Sequence, residues 1–284
     1  MSAYERPDLD GRVAFVTGTT RGIGKEIALA LAECGCAVVS TGKTAEPEDD
    51  KAGTNHETAD EIRERGSEAL AVQLDVRDEA QVQAAIDATI ERFGRLDVLV
   101  NNAGAIQLAD VEDLPAKRFD LLMDVNARGA YVCSRAALPH LKAGDGGHVL
   151  MASPPIRVEE APGRAAYALS KLGMTFLAKS LAAEVADDGV GVNAFWPVTA
   201  IDTRATRYFG MGSESDWRTP AIVADAVLEI VSRDPAACTG NAFYDEEVLR
   251  EAGVSDFSPY AVVEGADPAP LSAWLFDPDY ERPE

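Results

Sequence analysis

A glycine-rich turn between a strand and a helix most constrains what this chain can fold into. The apolar run Val13–Val16 is short enough for a buried strand, and Ile23, Ile27 and Leu31 recur at helical spacing. The three glycines of Thr17–Gly24 lie between these two patterns. Glycine permits backbone angles closed to other residues, and the start of a helix suits a phosphate. The turn therefore predicts either a phosphate-binding site or a tight connection without a ligand.

Strand and helix patterns alternate along the rest of the chain. Further strands are predicted at Ala37–Ser40, Ala69–Leu74, Val98–Val100, His148–Ala152, Val190–Phe195 and Thr239–Tyr244. Such alternation implies parallel strands joined by right-handed crossovers. We predict an α/β fold: a Rossmann-type, doubly wound, seven-stranded parallel sheet in a single domain. Residues 1–245 would form the dinucleotide-binding and catalytic unit, with residues 246–284 packed on it as a C-terminal extension.

Charge and hydropathy narrow the possible partners. The net charge is −22, which argues against binding nucleic acid. No apolar run reaches the roughly 20 residues of a membrane span, and the polar start lacks a signal segment, so we expect a cytoplasmic protein. Only seven of the 26 basic residues are lysines, which suggests a halophilic protein; an acidic mesophilic protein is the alternative. The spacing of the four cysteines and three histidines predicts no metal site.

The residues after the second predicted strand bear on the choice of nucleotide. Dinucleotide folds place an acid there for a free ribose hydroxyl, or a base for a 2′-phosphate. This chain has Thr41–Lys43, without an acid, so Arg21 and Lys43 favour NADP(H) over NAD(H). Asp75 ends the third strand, followed by Val76. The Asp75 carboxylate could accept a hydrogen bond from adenine or could cap the next helix.

A second motif follows the fourth predicted strand. Asn101–Gly104 reads Asn-Asn-Ala-Gly, at the sheet edge where ligands bind in open α/β folds. Together with Thr17–Gly24, this segment resembles the short-chain dehydrogenase/reductase family, in which it lines the cofactor pocket. The resemblance implies a nicotinamide cofactor held by Gly18, Thr20, Arg21, Gly22, Ile23, Gly24, Asn102, Ala103 and Gly104.

Tyr167 and Lys171 are four residues apart in a predicted helix and therefore share one face. A nearby ammonium lowers the pKa of a phenol, so the pair could act as an acid/base. The pair resembles the catalytic tyrosine and lysine of the family, where the lysine also binds the nicotinamide ribose. Asn126 resembles the family's helix asparagine, which holds a water in a proton relay. Alternatively, Asn126 is an internal polar residue bonded to the backbone.

The family's catalytic serine is displaced in this chain. Its usual position, thirteen residues before the tyrosine, is Pro154, which cannot donate a hydrogen bond. Ser153 is the candidate to hold the substrate oxygen, if an insertion within residues 156–164 shifts it into place. Alternatively, Ser153 faces away and Tyr167 polarises the substrate alone.

The segment after the sixth predicted strand completes the expected site. The resemblance implies that the backbone around Pro197, Thr199 and Ile201 contacts the nicotinamide carboxamide. Residues 203–216 are rich in glycine, serine and aromatic residues and predict a substrate lid. The side chains that could meet the substrate, or only hold this lid closed, are Arg204, Arg207, Tyr208 and Trp217.

These observations predict an NADP(H)-dependent oxidoreductase that interconverts a secondary alcohol and a ketone. The partner would be a small carbonyl or alcohol substrate. A non-catalytic NADP(H)-binding sensor or scaffold is the alternative, and the resemblance also suggests an enzyme acting on long acyl chains. Because the family pairs its long helices, here Lys117–Leu138 and Ala165–Ala186, we expect a homodimer or homotetramer.

Overall fold

A computed structural model describes residues 4–46, 53–155, 162–271 and residue 282. Its strands are Val13–Thr17 (β1), Ala37–Gly42 (β2), Ala69–Gln73 (β3), Val98–Asn101 (β4), Gly147–Ala152 (β5), Val190–Trp196 (β6), Ala200–Ile201 (β7), Trp217–Arg218 (β8) and Ala242–Tyr244 (β9). Its α-helices are Gly22–Glu33 (α1), Asn55–Glu64 (α2), Glu79–Phe93 (α3), Ala116–Met123 (α4), Gly129–Ala143 (α5), Ala165–Glu184 (α6), Arg204–Tyr208 (α7), Ala221–Ser232 (α8) and Asp245–Glu251 (α9).

Seven strands form one parallel sheet in the order β3-β2-β1-β4-β5-β6-β9. The predicted doubly wound, seven-stranded Rossmann-type fold is confirmed. The strand predicted at Thr239–Tyr244 is β9, because the short β7 and β8 precede it and form a separate two-stranded sheet. Two-residue strands are too short to show a hydrophobic period, so the sequence did not predict them.

Helices cover both faces of the sheet, and each face has its own hydrophobic core. One core joins residues of α1, α2, α8 and α9, such as Ile27, Ile62 and Val227, to the sheet. The other joins residues of α3, α5 and α6, such as Ile86 and Met174. Burial on both faces explains why β1 and β4 are continuous apolar runs rather than alternating ones.

The helix predicted over Lys117–Leu138 is longer and less regular than expected. A π-helical turn at Asp124–Arg128 joins α4 to α5, and α5 continues to Ala143 past Pro139. A proline removes one helical hydrogen bond, that to the carbonyl four residues earlier. Here that residue is Arg135, which like Pro139 is exposed, so water can satisfy the carbonyl.

The chain continues beyond β9 as part of the same packed unit. Val248 and Leu249 of α9 are buried in the core that contains α8. Residues 272–281 and 283–284 of the predicted extension lie outside the described residues, so the division at residue 245 stays a prediction. Among the residues described, no helix combines the length and apolar character needed to cross a membrane.

Candidate active site

A cavity of about 840 Å³ follows the carboxyl ends of the parallel strands. Its wall includes residues directly after β1, β2, β4 and β6, which is the edge where open α/β sheets bind ligands. All the residues predicted to bind the cofactor lie on this wall: Gly18, Thr20, Arg21, Gly22, Ile23, Gly24, Lys43, Asp75, Val76, Asn102, Ala103, Gly104, Tyr167, Lys171, Pro197, Thr199 and Ile201.

The glycine turn forms one end of the cavity, and each glycine has a separate reason to lack a side chain. Gly18 and Gly22 have φ angles of 74° and 57°, in the left-handed region that favours glycine. Gly24 is helical, but a Cβ there would collide with the Asn102 side chain and the Gly18 carbonyl. The turn therefore leaves main-chain atoms and the first turn of α1 open to a phosphate.

Hydrogen bonds join the glycine turn to the Asn-Asn-Ala-Gly segment. The Thr17 hydroxyl accepts hydrogen bonds from the N–H groups of Asn102 and Ala103, both at 2.9 Å. The Asn102 amide donates to the Thr17 carbonyl at 2.9 Å. The two motifs, 85 residues apart, are therefore joined into one wall of the cavity.

Basic groups surround the part of the wall formed by β2 and β3. Lys43 Nζ lies 3.3 Å from Asp75 Oδ2, with 62% of the lysine side chain exposed. Arg77 Nε donates to Asp75 Oδ1 at 2.9 Å. Hydrogen bonds from Arg77, with a weaker contribution from Lys43, hold the pKa of Asp75 well below its usual range. Asp75 is thus ionised, and the positive charges of Arg77 and Lys43 offset its negative charge. The carboxylate therefore opposes a bound phosphate only weakly.

Tyr167 and Lys171 lie on the cavity wall at the start of α6, and both are almost fully buried. Lys171 Nζ donates to the Ala152 carbonyl at 2.8 Å and lies 5.6 Å from the centre of the Trp196 ring. Burial lowers the pKa of Lys171 to about 8. Burial also raises the pKa of the Tyr167 phenol, opposite to the lowering expected from spacing alone. Desolvation disfavours the charged form of each group. The phenol is therefore neutral, and the Lys171 ammonium loses its proton more readily than that of an exposed lysine.

Asn126 lies behind this wall, on the π-helical turn. Its side chain donates to the Ala105 carbonyl at 3.0 Å and accepts from the Ala105 N–H at 2.8 Å. It also donates to the Ser170 hydroxyl at 2.8 Å, which in turn donates to the Tyr167 carbonyl. A Cβ placed on Gly104 would be 3.4 Å from Lys171 Nζ and 3.5 Å from Asn126 Oδ1. Asn126 therefore fixes the backbone of Ala105, close to Lys171, through hydrogen bonds.

Ser153 is not among the residues that line the cavity. It is completely buried, and its hydroxyl lies 3.5 Å from the Met151 carbonyl. The Ser153 N–H donates to the Phe195 carbonyl at 3.0 Å, and the Pro154 carbonyl accepts from the Thr175 hydroxyl. These bonds turn the segment towards β6 and α6. Residues 156–161, within the proposed insertion, lie outside the described residues, so the role of Ser153 stays a prediction.

The predicted lid side chains divide into two groups. Arg204 and Tyr208 of α7 line the cavity. Arg207 instead pairs with Asp202 and Glu214, and its guanidinium lies 4.9 Å from the centre of the Trp217 ring. Trp217 is buried and donates to the Met211 carbonyl at 2.6 Å. Arg207 and Trp217 therefore stabilise the segment predicted to be a lid, while Arg204 and Tyr208 lie on the cavity wall.

Several residues at the site were missed from the sequence, and three of them bear on its chemistry or shape. Trp196 and Leu271 line the cavity beside Tyr167. The fully buried Asp245 accepts a hydrogen bond from the Val198 N–H at 2.9 Å, inside the predicted Pro197–Ile201 contact segment. Asp245 directly follows the last strand of the sheet, and that position could have marked it. Nothing in the sequence pattern places Leu271 near Tyr167.

Comparisons with known proteins agree with this geometry. A family model described as short chain dehydrogenase matches residues 12–211. Human hydroxysteroid dehydrogenase-like protein 2 is 42% identical over 260 residues, which are 90% of this chain but 62% of that protein. The matched rat protein is covered to only 49%, so the chain spans less than two thirds of these curated relatives.

Solved structures show the same arrangement of elements. A short chain dehydrogenase from Mycobacterium thermoresistibile is 39% identical with a TM-score of 0.88, covering 96% of this chain and 98% of that one. Carveol dehydrogenase from Mycobacterium avium, solved with NAD, is 24% identical with a TM-score of 0.76 and covers 84% and 97% of the two chains. At that identity the second likeness supports the fold alone.

Replacing Gly24 by alanine tests the glycine wall. Because a methyl group would meet the Gly18 carbonyl and the Asn102 side chain, Gly24→Ala should lower the free energy of unfolding by about 1–3 kcal/mol. Urea denaturation followed by circular dichroism measures this change. The control is Lys25→Ala, since Lys25 pairs with Glu61 away from the cavity. Equal stability of the two variants would contradict the close approach.

Proposed function

The chain belongs to the short-chain dehydrogenase family, and we propose that it interconverts a ketone and a secondary alcohol with NADP(H) as the redox cofactor. One observation carries this proposal: Tyr167 and Lys171 lie on the wall of the same cavity as the glycine turn. An acid/base pair and a phosphate-binding turn are thereby joined by one ligand-sized space. The substrate is then a small molecule whose carbonyl or hydroxyl group reaches Tyr167.

We assign the cofactor to the cavity from the glycine turn to the Pro197–Ile201 segment. The backbone of the turn and the start of α1 would hold the pyrophosphate, and Asn102–Gly104 would support the space between it and Tyr167. Thr199 and Ile201 would offer backbone groups to the carboxamide. When bound, the reduced nicotinamide supplies the hydride. The protein supplies the position and the proton.

Tyr167 is proposed as the proton donor in the reductive direction. Its raised pKa keeps the phenol protonated at neutral pH, as a general acid requires. The phenol O–H bond breaks as the carbonyl oxygen becomes a hydroxyl. In the oxidative direction the same oxygen takes the proton back from the alcohol.

Lys171 is proposed to stabilise the phenolate left after this transfer and to hold the cofactor ribose. Its ammonium already has one partner, the Ala152 carbonyl, which keeps the side chain in the cavity wall. Asn126 is proposed to support a proton relay through water, and its bonds to both backbone groups of Ala105 fix its side chain near Lys171. Ser153 remains the proposed second contact to the substrate oxygen, which requires its hydroxyl to turn away from Met151.

A preference for NADP(H) is supported by the charges near β2. Arg21 and Lys43 both line the cavity, and the Asp75 carboxylate there is neutralised by Arg77 and Lys43. No acidic residue occupies Thr41–Ala45, directly after the point where a free ribose would be recognised. A 2′-phosphate would therefore meet basic groups rather than a carboxylate.

A non-catalytic NADP(H)-binding sensor or scaffold is the second candidate. Its support is the placement of Ser153 behind the wall, which leaves the substrate oxygen with fewer donors. Consumption of NADPH with a panel of ketones, aldehydes and acyl thioesters separates the two. Turnover of any member supports the enzyme, whereas cofactor binding without turnover supports the sensor.

The proposed homodimer or homotetramer is supported by apolar side chains on the helices named above. Phe119 of α4, Tyr131 of α5, and Leu169 and Phe176 of α6 are all exposed in the single chain. Leu169 and Phe176 are 57% and 66% exposed, and such apolar groups are stabilised when a second copy covers them.

Tyr167→Phe should reduce kcat by roughly a hundredfold to ten-thousandfold, because the variant keeps the ring but loses the donated proton. The dissociation constant for NADPH should stay nearly unchanged, since the wall is otherwise intact. Steady-state kinetics and fluorescence titration of NADPH measure the two quantities. Equal losses in both would refute the role as proton donor.

Ser153→Ala in the same assay completes this comparison. A loss of on the order of a hundredfold in kcat/KM would support a hydrogen bond to the substrate oxygen. A change below about threefold, well under the loss of one such donor, would leave Tyr167 as the polarising group.

The reductive rate should fall at alkaline pH as Lys171 loses its proton. Since burial sets the pKa of Lys171 at about 8, kcat/KM should be steady on the acid side of that value and decline above it. The decline should approach about tenfold per pH unit, as for a single titrating group. Lys171→Arg carries a charge that does not titrate in this range, so its alkaline decline should disappear. The same decline in both proteins would exclude Lys171 as its source.

Lys43→Glu should weaken NADPH binding by about tenfold to a hundredfold, the worth of one charge-assisted contact, and leave NADH binding nearly unchanged. Titration of both cofactors by fluorescence measures the ratio. Lys25→Glu is the matched control, because Lys25 lies in α1 but not on the cavity wall. Parallel loss of NADPH and NADH affinity in Lys43→Glu would contradict the assignment.

A further inference from the structure

The chain after α9 returns to the end of the cavity that contains Tyr167. We call residues 257–271 the C-terminal strap. The strap lies beyond residue 211, where the match to the family model ends. Its last residue, Leu271, lines the cavity and packs against a small apolar cluster around Tyr167 and Trp196.

Hydrogen bonds hold the strap against the segment that follows β6. The Leu271 N–H donates to the Val198 carbonyl at 2.7 Å, and Pro270 forms an antiparallel bridge with Thr199. On its other side, Val198 donates its own N–H to Asp245 at 2.9 Å. Val198 is therefore held through both backbone groups, which sets the position of Leu271 relative to the wall.

A buried ionic cluster supports the same part of the fold. Glu246 is fully buried and pairs with Arg218 of β8 and with Arg282, the latter at 2.9 Å. Arg282 also donates to the Pro268 carbonyl at 2.7 Å. Near the start of the strap, the Tyr260 carbonyl accepts a hydrogen bond from the Thr219 N–H at 2.7 Å. Ion pairs and hydrogen bonds thus connect the strap to α9 and to the region of β8.

The space beside Tyr167 is apolar on the sides formed by the strap and its neighbours. Ala105, Ile106, Leu108, Leu114, Trp196 and Leu271 pack around the cluster that contains Tyr167. Phe209 and Met211 of the lid also line the cavity. Two charged residues of the described wall lie near this space: Lys171 of α6 and Arg204 of the predicted lid. Among the described residues, none of these apolar side chains could pair with a charged substituent, which would lose its hydration against Leu271 and Trp196.

We propose that Leu271 is a specificity-determining residue, and that the substrate carries an uncharged, apolar group which packs against Leu271 and Trp196. This inference rests on the proposed carbonyl chemistry and names the substrate class for it. The apolar group gains from leaving water, and the strap sets how large the group can be. Straight-chain methyl ketones of increasing length represent this class, and keto acids of equal length represent its charged counterpart.

The test compares full-length wild-type protein with Leu271→Ala, Leu271→Asn and the control Val263→Ala. Val263 belongs to the same strap but is 40% exposed and does not line the cavity. In wild-type protein kcat/KM should rise with ketone length and exceed that for the keto acids. Leu271→Ala should change the ratio of kcat/KM between long and short ketones by on the order of tenfold. Leu271→Asn should lower kcat/KM for the longest ketones. Val263→Ala should keep the wild-type ratio.

An unchanged length ratio in both Leu271 variants would overturn the inference, as would a wild-type preference for keto acids. NADPH affinity and circular dichroism of each variant show whether the wall is intact, so a misfolded variant is recognised. If the wild-type protein turns over no carbonyl, the proposed function fails, and calorimetric titration of the same ketones into the protein with NADP⁺ still tests the inference. Affinity that rises with length in wild-type and not in Leu271→Ala supports it; the same length dependence in both, or no ketone binding, overturns it.

Discussion

The rest of the site depends on the hydrogen bonds that the Thr17 hydroxyl accepts. The N–H groups of Asn102 and Ala103 donate these bonds, which join the end of β1 to the end of β4. A Cβ on Gly18 would lie 2.9 Å from the Ala103 Cα, so this approach is possible only without a side chain. The cavity wall between the glycine turn and α6 follows from that contact. Two motifs far apart in the chain are therefore one structural unit.

Burial governs the pKa values of Tyr167 and Lys171 more than the spacing of the two residues does. Four residues of helix place Tyr167 and Lys171 on one face, but the fold also removes both from water. The pKa of the phenol rises and that of the amine falls for the same reason, the cost of a charge in a medium of low polarity. The Tyr167 phenol is therefore neutral at neutral pH, and the pKa of Lys171 is lowered to about 8. The Ala152 carbonyl keeps the amine in place.

Local pattern predicted most of the fold because each buried strand has an apolar run and each helix an apolar face. The runs at Val13–Val16 and Val98–Val100 correspond to β1 and β4 of the structure. The pattern failed where stability comes from distant partners. β7 and β8 exist because Ala200 and Ile201 pair with Trp217 and Arg218, and two residues show no period. Pro139 did not end α5 because its missing hydrogen bond falls on the exposed face.

The sequence by itself determined the sheet, the glycine turn and the presence of Tyr167 and Lys171 on one helix face, because these depend on spacing within one segment. Only the tertiary structure decided which side chains meet the ligand space. Ser153 lies behind the wall because its backbone pairs with Phe195 and its neighbour Pro154 with Thr175. Leu271 reaches the wall because it pairs with Val198, and that contact spans 73 residues of chain. Contacts of this kind follow from how packed elements face each other, and no local pattern encodes them.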